Sequence, residues 1–418
     1  MPDLQTPDRT LDLASRRFVP LFVTQFLGAF NDNLFKTAML FLITFHLPGV
    51  DIKIAATMVT AAAGVFILPF FLFSGIAGQL ADARDKAAIA RAVKLAEAAI
   101  LGIGGVALMI GSVPLLFACL FAMGTHSTAF GPVKYAILPQ HLRPEHLLTG
   151  TGLVEGGTFV AILLGQIAGG LLPTGWAAAA MLAAALAGVV ASRFIPPAPP
   201  ASDSPAIDWN PMTASTAVVR EAFAVRPVWL ATLAISWFWA LGAVFTSAFV
   251  PLVKGSLHAS EAVATLFLAV FTVGIATGSA AVGRLLHGHV SAKAAPWAAV
   301  AMAAASFSLL LTVRDGGHGG DIAGFVTSPV AWPILLALFV LAFAGGVFSV
   351  PLYGILQTAG GAATRSKAVA ANNIVNAAFQ VGGTLLAGSA VAGGVPIVVV
   401  LAMCGVSALV LIPMLRRL

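Results

Sequence analysis

Long apolar stretches recur along the chain, parted by short loops that hold most of its charge. A helix needs about 20 apolar residues to cross a bilayer. Runs of that length place spans at about residues 18–46, 54–79, 87–110, 112–135, 148–172 and 174–195, then at about 227–253, 259–286, 292–313, 331–357, 367–391 and 394–415. Between the two sets lies 196–226, which opens with Pro196-Pro197-Ala198-Pro199-Pro200 and continues through the polar stretch Ser202 to Asn210. Proline cannot continue a helix, and this stretch is too polar for lipid. The pattern therefore predicts a cytoplasmic segment 1–17, an N-terminal half 18–195, a solvated linker 196–226 and a C-terminal half 227–418.

Composition fixes the class. With 59% hydrophobic and 9% charged residues and a mean hydropathy of +0.97, the chain cannot present a wetted surface all round, so it is an all-α polytopic membrane protein. The net charge of +6 is scattered in ones and twos at helix ends, which reads as topology and gives no stripe for nucleic acid. Placing the N-terminus in the cytoplasm puts 18 of the 22 Lys and Arg inside. That set counts Lys94 and Lys134 as helix-end residues, leaves Lys53, Lys254 and Arg314 outside, and leaves Lys36 within the membrane. The bias predicts both termini in the cytoplasm. Ser15-Arg16-Arg17 precedes the first apolar run, but no small-residue cleavage site follows, so an uncleaved first span is expected. Trp176, Trp229, Trp297 and Trp332 sit near span ends as interfacial anchors do. Cys119 and Cys404 fall in apolar runs with no metal-ligand spacing around them.

Polar residues inside spans are costly and so carry the candidate chemistry. On the first span, Gln25, Asp32 and Lys36 point within about 40° of one another at the helical repeat, with Asn31 and Asn33 beside them. Asp32 and Lys36, four apart, can pair. Thr151, Glu155 and Gln166 form a stripe on the fifth span, and Asn372, Asn376 and Gln380 form one on the eleventh. These side chains also serve elsewhere as glue between helices. His126, in Thr125-His126-Ser127-Thr128, can take up a proton or simply pack. Glu97, one turn from Lys94, reads as a local partner of that lysine. Trp237, Phe238 and Trp239, with Phe245 and Phe249, can wall a cavity for an apolar chain. Gly64, Gly75, Gly78, Gly165, Gly169, Gly382 and Gly383 read as close helix contacts.

The halves repeat one another. Gly78-Gln79-Leu80-Ala81-Asp82-Ala83-Arg84-Asp85-Lys86 follows the second span, and Gly283-Arg284-Leu285-Leu286-His287-Gly288-His289-Val290 follows the eighth. Gly131-Pro132-Val133-Lys134-Tyr135-Ala136-Ile137-Leu138 ends the fourth span as Val350-Pro351-Leu352-Tyr353-Gly354-Ile355-Leu356 ends the tenth, and Leu153-Val154-Glu155 lies against Ile374-Val375-Asn376. Two six-helix halves with a basic loop after the second helix and a central linker resemble the major facilitator superfamily, in which substrate sites lie near the midplane between pseudo-symmetric halves. Gly78, Asp82, Arg84, Lys86, Lys134 and Arg284 are then the expected gating residues.

Longer strings carry a narrower resemblance. Gln25-Phe26-Leu27-Gly28-Ala29-Phe30-Asn31-Asp32-Asn33-Leu34-Phe35-Lys36, Gly131 to Gln140, Gly152-Leu153-Val154-Glu155 with Ala161 to Gly165, and Ser236-Trp237-Phe238-Trp239 resemble the bacterial lysophospholipid transporters, over nearly the whole chain. The likeness is strongest to the transporter domains fused to lysophospholipid acyltransferases. It implies movement of lysophosphatidylethanolamine and lysophosphatidylglycerol from the outer to the inner leaflet of the cytoplasmic membrane for reacylation. It also implies that Asp32 and Asn33 match the first-helix acidic motif, and that Lys134 and Glu155 match motifs of the fourth and fifth spans. Some stand-alone members carry an arginine in the seventh span, where this chain has Thr246, and lack a lysine at the position of Lys36. Lys36 is therefore expected to meet the head-group phosphate, with Asp32 orienting it.

The expected substrate-binding set is Gln25, Asp32, Asn33, Lys36, His126, Glu155, Trp237, Trp239, Asn372 and Asn376. Lysophospholipid and the surrounding membrane lipids are the expected partners, with docking of a cytoplasmic acyltransferase left open. A monomer without a cofactor is expected. The alternative reading is a proton-coupled exporter of amphipathic drugs that uses Asp32 or Glu155. An enzyme is not expected: His46-Leu47-Pro48-Gly49-Val50-Asp51 has the His-x4-Asp spacing of glycerolipid acyltransferases, but it falls in a short outer loop with no soluble domain to hold a donor. No phosphate-cradling Gly-x4-Gly-Lys-Ser/Thr loop is present either.

Overall fold

The computed structural model describes residues 13–46, 52–200, 206–313, 320–361 and 364–418. Arg9, Arg314, Ser202 and residues 47–51, which hold most of the His-x4-Asp string, lie outside the described residues. The described chain is helical throughout. In order it runs α1 (Val19–Phe41, with a final turn to His46), α2 (Ile52–Ala83), α3 (Lys86–Ile110), α4 (Val113–His141), α5 (Pro144–Leu171) and α6 (Thr174–Arg193). Next come α7 (Pro211–Ala224), α8 (Arg226–Gly255), α9 (Glu261–Leu285), α10 (Ala295–Thr312), the short α11 (Ile322–Thr327), α12 (Ala331–Thr358), α13 (Arg365–Ala392) and α14 (Ile397–Val406), which passes through a 3-10 turn into α15 (Ile412–Leu415).

Among the described residues, eleven helices are long and apolar enough to cross a membrane, α14 to α15 counting as one span from Ile397 to Leu415. The 23-residue α1 is not one of these. Asn31, Asp32, Asn33 and Lys36 lower its hydropathy, and it is held instead by packing against α5. A Cβ on Gly165 or Gly169 of α5 would come within 2.4 Å of the Phe30 carbonyl or 2.6 Å of the Leu34 carbonyl of α1. Backbones can approach that closely only where the side chain is a hydrogen, which is how membrane helices gain dispersion contact without a hydrophobic driving force.

The linker departs from the expected solvated coil. Its second half is the 14-residue α7, N-capped by Asn210, whose side chain accepts from the Met212 and Thr213 backbone N–H groups at 3.0 and 3.4 Å. Just before it, hydrogen bonds from the Thr213 hydroxyl and the Asn210 backbone N–H hold the exposed Asp208 carboxyl below the usual carboxylate range. α7 lies directly on α2: a Cβ on Gly75 would meet Ser215 N at 2.4 Å, and the Ser215 hydroxyl donates to the Phe71 carbonyl at 3.0 Å. Polarity alone says nothing of the buried face that Ala214, Ser215, Val218 and Ala222 make along this helix.

One end of the bundle gathers the linker, the segment before α1 and the ends of α2, α4 and α9. His141 reaches the Arg17 carbonyl at 3.1 Å and the Pro197 carbonyl at 3.4 Å. Asp85, which caps α3 through Ala87 N, also accepts from Ala198 N at 2.8 Å. This end is called the linker face below. At it, the two halves are pressed together by glycines: a Cβ on Gly78 of α2 would lie 2.6 Å from Ala370 of α13, and one on Gly152 of α5 would lie 2.2 Å from the Ser279 carbonyl of α9. Asp82 completes the α2–α13 seam by accepting from Ser366 N at 3.1 Å and Lys367 N at 3.2 Å. These are first-turn donors of α13 that no carbonyl of that helix can satisfy. Gly64 and Gly382, read from sequence as close contacts, instead face open space.

A polar cavity between the halves

Between the halves lies a cavity of about 330 Å³, bordered by α1, α2, α4, α5, α8, α12 and α13. One wall is polar: Gln25, Asp32, Asn33 and Lys36 from α1, His126, Ser127 and Lys134 from α4, and Asn373, Asn376 and Gln380 from α13. The opposite character comes from Phe66, Ile67, Phe70, Phe130, Ile162 and Trp239.

The chain's two tyrosines close it toward the linker face. Tyr135 and Tyr353 stack with ring centroids 4.7 Å apart and planes within 10°. They occupy matching places in the repeated strings Tyr135-Ala136-Ile137-Leu138 and Tyr353-Gly354-Ile355-Leu356, so the internal repeat meets itself at the cavity floor. Each ring is fixed by its hydroxyl, Tyr135 donating to Glu155 and Tyr353 accepting from Trp239 Nε1 at 2.7 Å. Beyond the floor, Thr151 of α5 and Gln357 of α12 bond across the halves at 3.1 Å. Away from the linker face the seam opens: α13 has no buried residue after Ala377, while Leu385 and Leu386 are exposed.

The first-helix residues do not behave as a pair. Asp32 accepts from Ser127 Oγ at 2.5 Å and leaves Oδ1 without a hydrogen-bond partner. Lys36 Nζ lies over the Phe66 ring, 5.4 Å from its centroid. Among the described residues no ion pair joins them, so the carboxylate and the ammonium both face the cavity. Gln25 is anchored by Thr158, which donates to its Oε1 at 2.9 Å, and Asn33 donates to the Ala29 carbonyl at 2.9 Å. Asn376 accepts from Ser236 at 2.6 Å. Lys134, expected at a helix end, borders the cavity with Nζ 4.7 Å from the centroid of the Tyr135 ring.

Several expected residues lie elsewhere. Glu155 is buried beneath the tyrosine floor with Oε2 unpartnered, outside the cavity lining. Trp237 turns toward the end of the chain, donating to Ser407 at 2.9 Å and packing on Phe348, and only Trp239 reaches the cavity. Asn372 is fully buried, and its neighbour Asn373 lines the wall instead. A stripe taken at every fourth residue drifts off the face, whereas 373, 376 and 380 hold it. Phe245 and Phe249 pack on Phe271 in the core, and Thr246 is exposed, donating to the Gly242 carbonyl. Of the expected gating residues, Gly78 and Asp82 form the α2–α13 seam. Lys86 is buried with its N–H on the Ala198 carbonyl at 3.0 Å, and Arg84 and Arg284 are exposed at the linker face.

Sequence reading missed the floor tyrosines, Ser127, and the setting of Lys94. That lysine is fully buried in the N-terminal half, not at a helix end, bonded to Glu97, with Gly28 and Gly188 giving its ammonium room.

The comparisons with known proteins agree with this architecture. The model of the Major Facilitator Superfamily matches residues 21–384. The "Lysophospholipid transporter LplT" of Serratia proteamaculans is 30% identical over 359 residues, 83% of this chain and 81% of that protein. The protein of the same name from Cronobacter sakazakii is 29% identical over 376 residues, 86% and 84% of the two chains. Among solved structures, the human organic anion transporter MFSD10 superposes with a TM-score of 0.75 at 16% identity, covering 96% of this chain and 98% of that one. The transporter FucP, in its outward conformation, does so with 0.69 at 12% identity, covering 96% and 97%. At such identities these two show the fold alone. Two bundles of helices around a cavity between them, the family match over residues 21–384 and this degree of likeness to curated relatives make the chain a member of the major facilitator superfamily, in its lysophospholipid transporter family.

Proposed function

We propose that the protein carries lysophospholipids, lysophosphatidylethanolamine and lysophosphatidylglycerol, from the outer to the inner leaflet of the bacterial cytoplasmic membrane by alternating access, with no chemical step. The observation that carries this reading is the division of the cavity. Lys36, Lys134 and Asp32 on one wall suit a phosphate and an ammonium, and Phe66, Phe70, Phe130 and Trp239 suit one acyl chain. Moving an exposed zwitterionic head through hydrocarbon costs several kcal/mol per unsatisfied polar group, so a polar wall is what such a passenger needs. At about 330 Å³ the cavity is at the low end of ligand pockets, roughly 300 to 1,000 Å³, which suits a head group with part of one chain better than a diacyl lipid. The names of the relatives point the same way.

The linker face carries Arg16, Arg17, Arg84, Arg143, Arg193, Arg226, Arg284, Arg416 and Arg417. The positive-inside rule therefore supports a cytoplasmic placing of that face and both termini, even with Lys94 and Lys134 removed from the count. The state described is then open away from the cytoplasm and sealed toward it. Competition in proteoliposomes tests the passenger: transfer of labelled lysophosphatidylethanolamine should fall with unlabelled lysophosphatidylethanolamine or lysophosphatidylglycerol. Competition by an amphipathic drug cation alone would replace this reading with the exporter.

A further inference from the structure

At the linker face, on the flank of the C-terminal half, lies a second cavity of about 460 Å³, larger than the one between the halves. α10 lines it with Trp297 and Val300, and Lys293 precedes them; α15 lines it with Ile412 and Leu415, and Arg416 follows. The local sequence makes this gap. Gly405 of α14 lies so close to the Ser306 side chain of α10 that a Cβ would have no room there. A few residues on, the Pro413 ring would collide with the Leu409 carbonyl of a continuing α-helix, and the chain runs through the 3-10 turn Ser407–Leu411 instead. The two helices, clasped at Gly405, therefore part toward the linker face, and the wedge between them is the cavity.

Its charge has one sign. Lys293 and Arg416 are exposed, and no acidic side chain lines the cavity. Between Glu261 and Leu418 the sequence has Asp315 and Asp321 as its only acids, and both follow Thr312, past the opposite end of α10. Even a carboxylate at Leu418, which also borders the wedge, would leave one net positive charge. The rest of the wall is apolar. Trp297 is 77% exposed, and Val300, Phe307 and Leu311 continue from it as an exposed stripe. From Trp297 to Phe307 the helix rises about 15 Å, half of the hydrocarbon core and so the depth of one leaflet.

We propose that this wedge binds one anionic diacyl phospholipid of the leaflet that the linker face meets, with its phosphate at Lys293 and Arg416 and an acyl chain along α10. A tryptophan at head-group level, two cations beside it and an apolar stripe one leaflet deep match such a lipid part by part. A free phosphate has no use for the stripe. The wedge also differs from the central cavity in the head group it favours. There Asp32 offers a carboxylate to an ammonium; here a zwitterionic head would bring its ammonium up to two cations and meet no acidic side chain, so a head of net charge −1 binds better. The site is separate from the passenger's and does not depend on which passenger is carried.

The test is native mass spectrometry of the full chain in mild detergent, titrated with phosphatidylglycerol and, separately, with phosphatidylethanolamine. One phosphatidylglycerol should bind about tenfold or more tighter than phosphatidylethanolamine. Lys293→Ala combined with Arg416→Ala should lower that binding by about the same factor. Both side chains are exposed, so the lipid-free thermal midpoint should stay put. Removing equal charge elsewhere on the linker face, by Arg193→Ala with Arg226→Ala, should leave the binding unchanged, and so should Lys36→Ala in the central cavity. Equal binding of the two lipids, or an equal loss in the Arg193 and Arg226 variant, overturns the site. Loss in Lys36→Ala overturns it by placing the lipid in the central cavity, and displacement by excess glycerol phosphate overturns it in favour of a free phosphate ligand. The competition assay above tests the passenger independently of all these outcomes.

Discussion

Gly152 offers the sharpest handle on how the halves close. Replacing it by alanine adds one methyl group whose carbon would sit 2.2 Å from the Ser279 carbonyl oxygen, a backbone atom of α9 that no rotamer change can move. An ordinary carbon–oxygen contact is longer by about 1 Å, so α5 and α9 must part by roughly that amount. Overpacking of a fitted contact costs about 1–3 kcal/mol. That cost falls only on the arrangement in which the linker face is shut, which should lower its population against the opposite arrangement by about 5- to 150-fold. Spin labels on cysteines at positions 84 and 284, both exposed at the linker face, report the separation once Cys119 and Cys404 are replaced by alanine. The native chain should give one short distance, and Gly152→Ala should add a longer one. An unchanged distance distribution in a monodisperse variant would refute the idea that this glycine contact seals the face.

Other substitutions separate the roles assigned to neighbouring side chains. Lys36→Ala should slow transfer of lysophosphatidylethanolamine about tenfold or more, the worth of a hydrogen bond to a charged group; an unchanged rate removes Lys36 from head-group recognition. Lys94→Met leaves Glu97 charged in a dry site and should cost about 3–5 kcal/mol of stability, read as a fall in the thermal unfolding midpoint, whereas an unshifted midpoint would contradict the buried pair. Trp237→Phe, losing its bond to Ser407 and part of its packing on Phe348, should cost at least about 1 kcal/mol and leave transport near the native rate, while Trp239→Ala should lower transport. Equal effects of the two on transport would put both indoles in the cavity.

How much the sequence discloses differs between spans and sites. Hydrophobic length marks eleven spans among the described residues, because only helices and closed barrels survive in lipid, whereas α1 falls short on account of its polar residues. The repeat between the halves even marks the two tyrosines that meet at the floor, although nothing in a linear pattern says that matching residues touch. Helical spacing groups polar residues on a face, but it does not say which face the cavity takes. Gln25, Asp32 and Asn376 line the cavity, yet Asn372 is one residue and Trp237 two residues off the lining. Asp32 and Lys36 sit at the right interval to pair and do not, since Ser127 from another helix claims the carboxylate. Lys94 looked like a helix-end charge because the glycines that make room for it, Gly28 and Gly188, are distant in sequence. The linker helix escaped notice because its apolar face, which packs on α2 and α13, is short and follows a proline-rich polar stretch.

The most direct measurement is leaflet transfer of labelled lysophosphatidylethanolamine in proteoliposomes, run beside its diacyl counterpart and an Asp32→Asn variant. The account predicts transfer of the one-chain lipid alone, lost in the variant. Equal transfer of both lipids, or of neither, or full activity in Asp32→Asn, would contradict it.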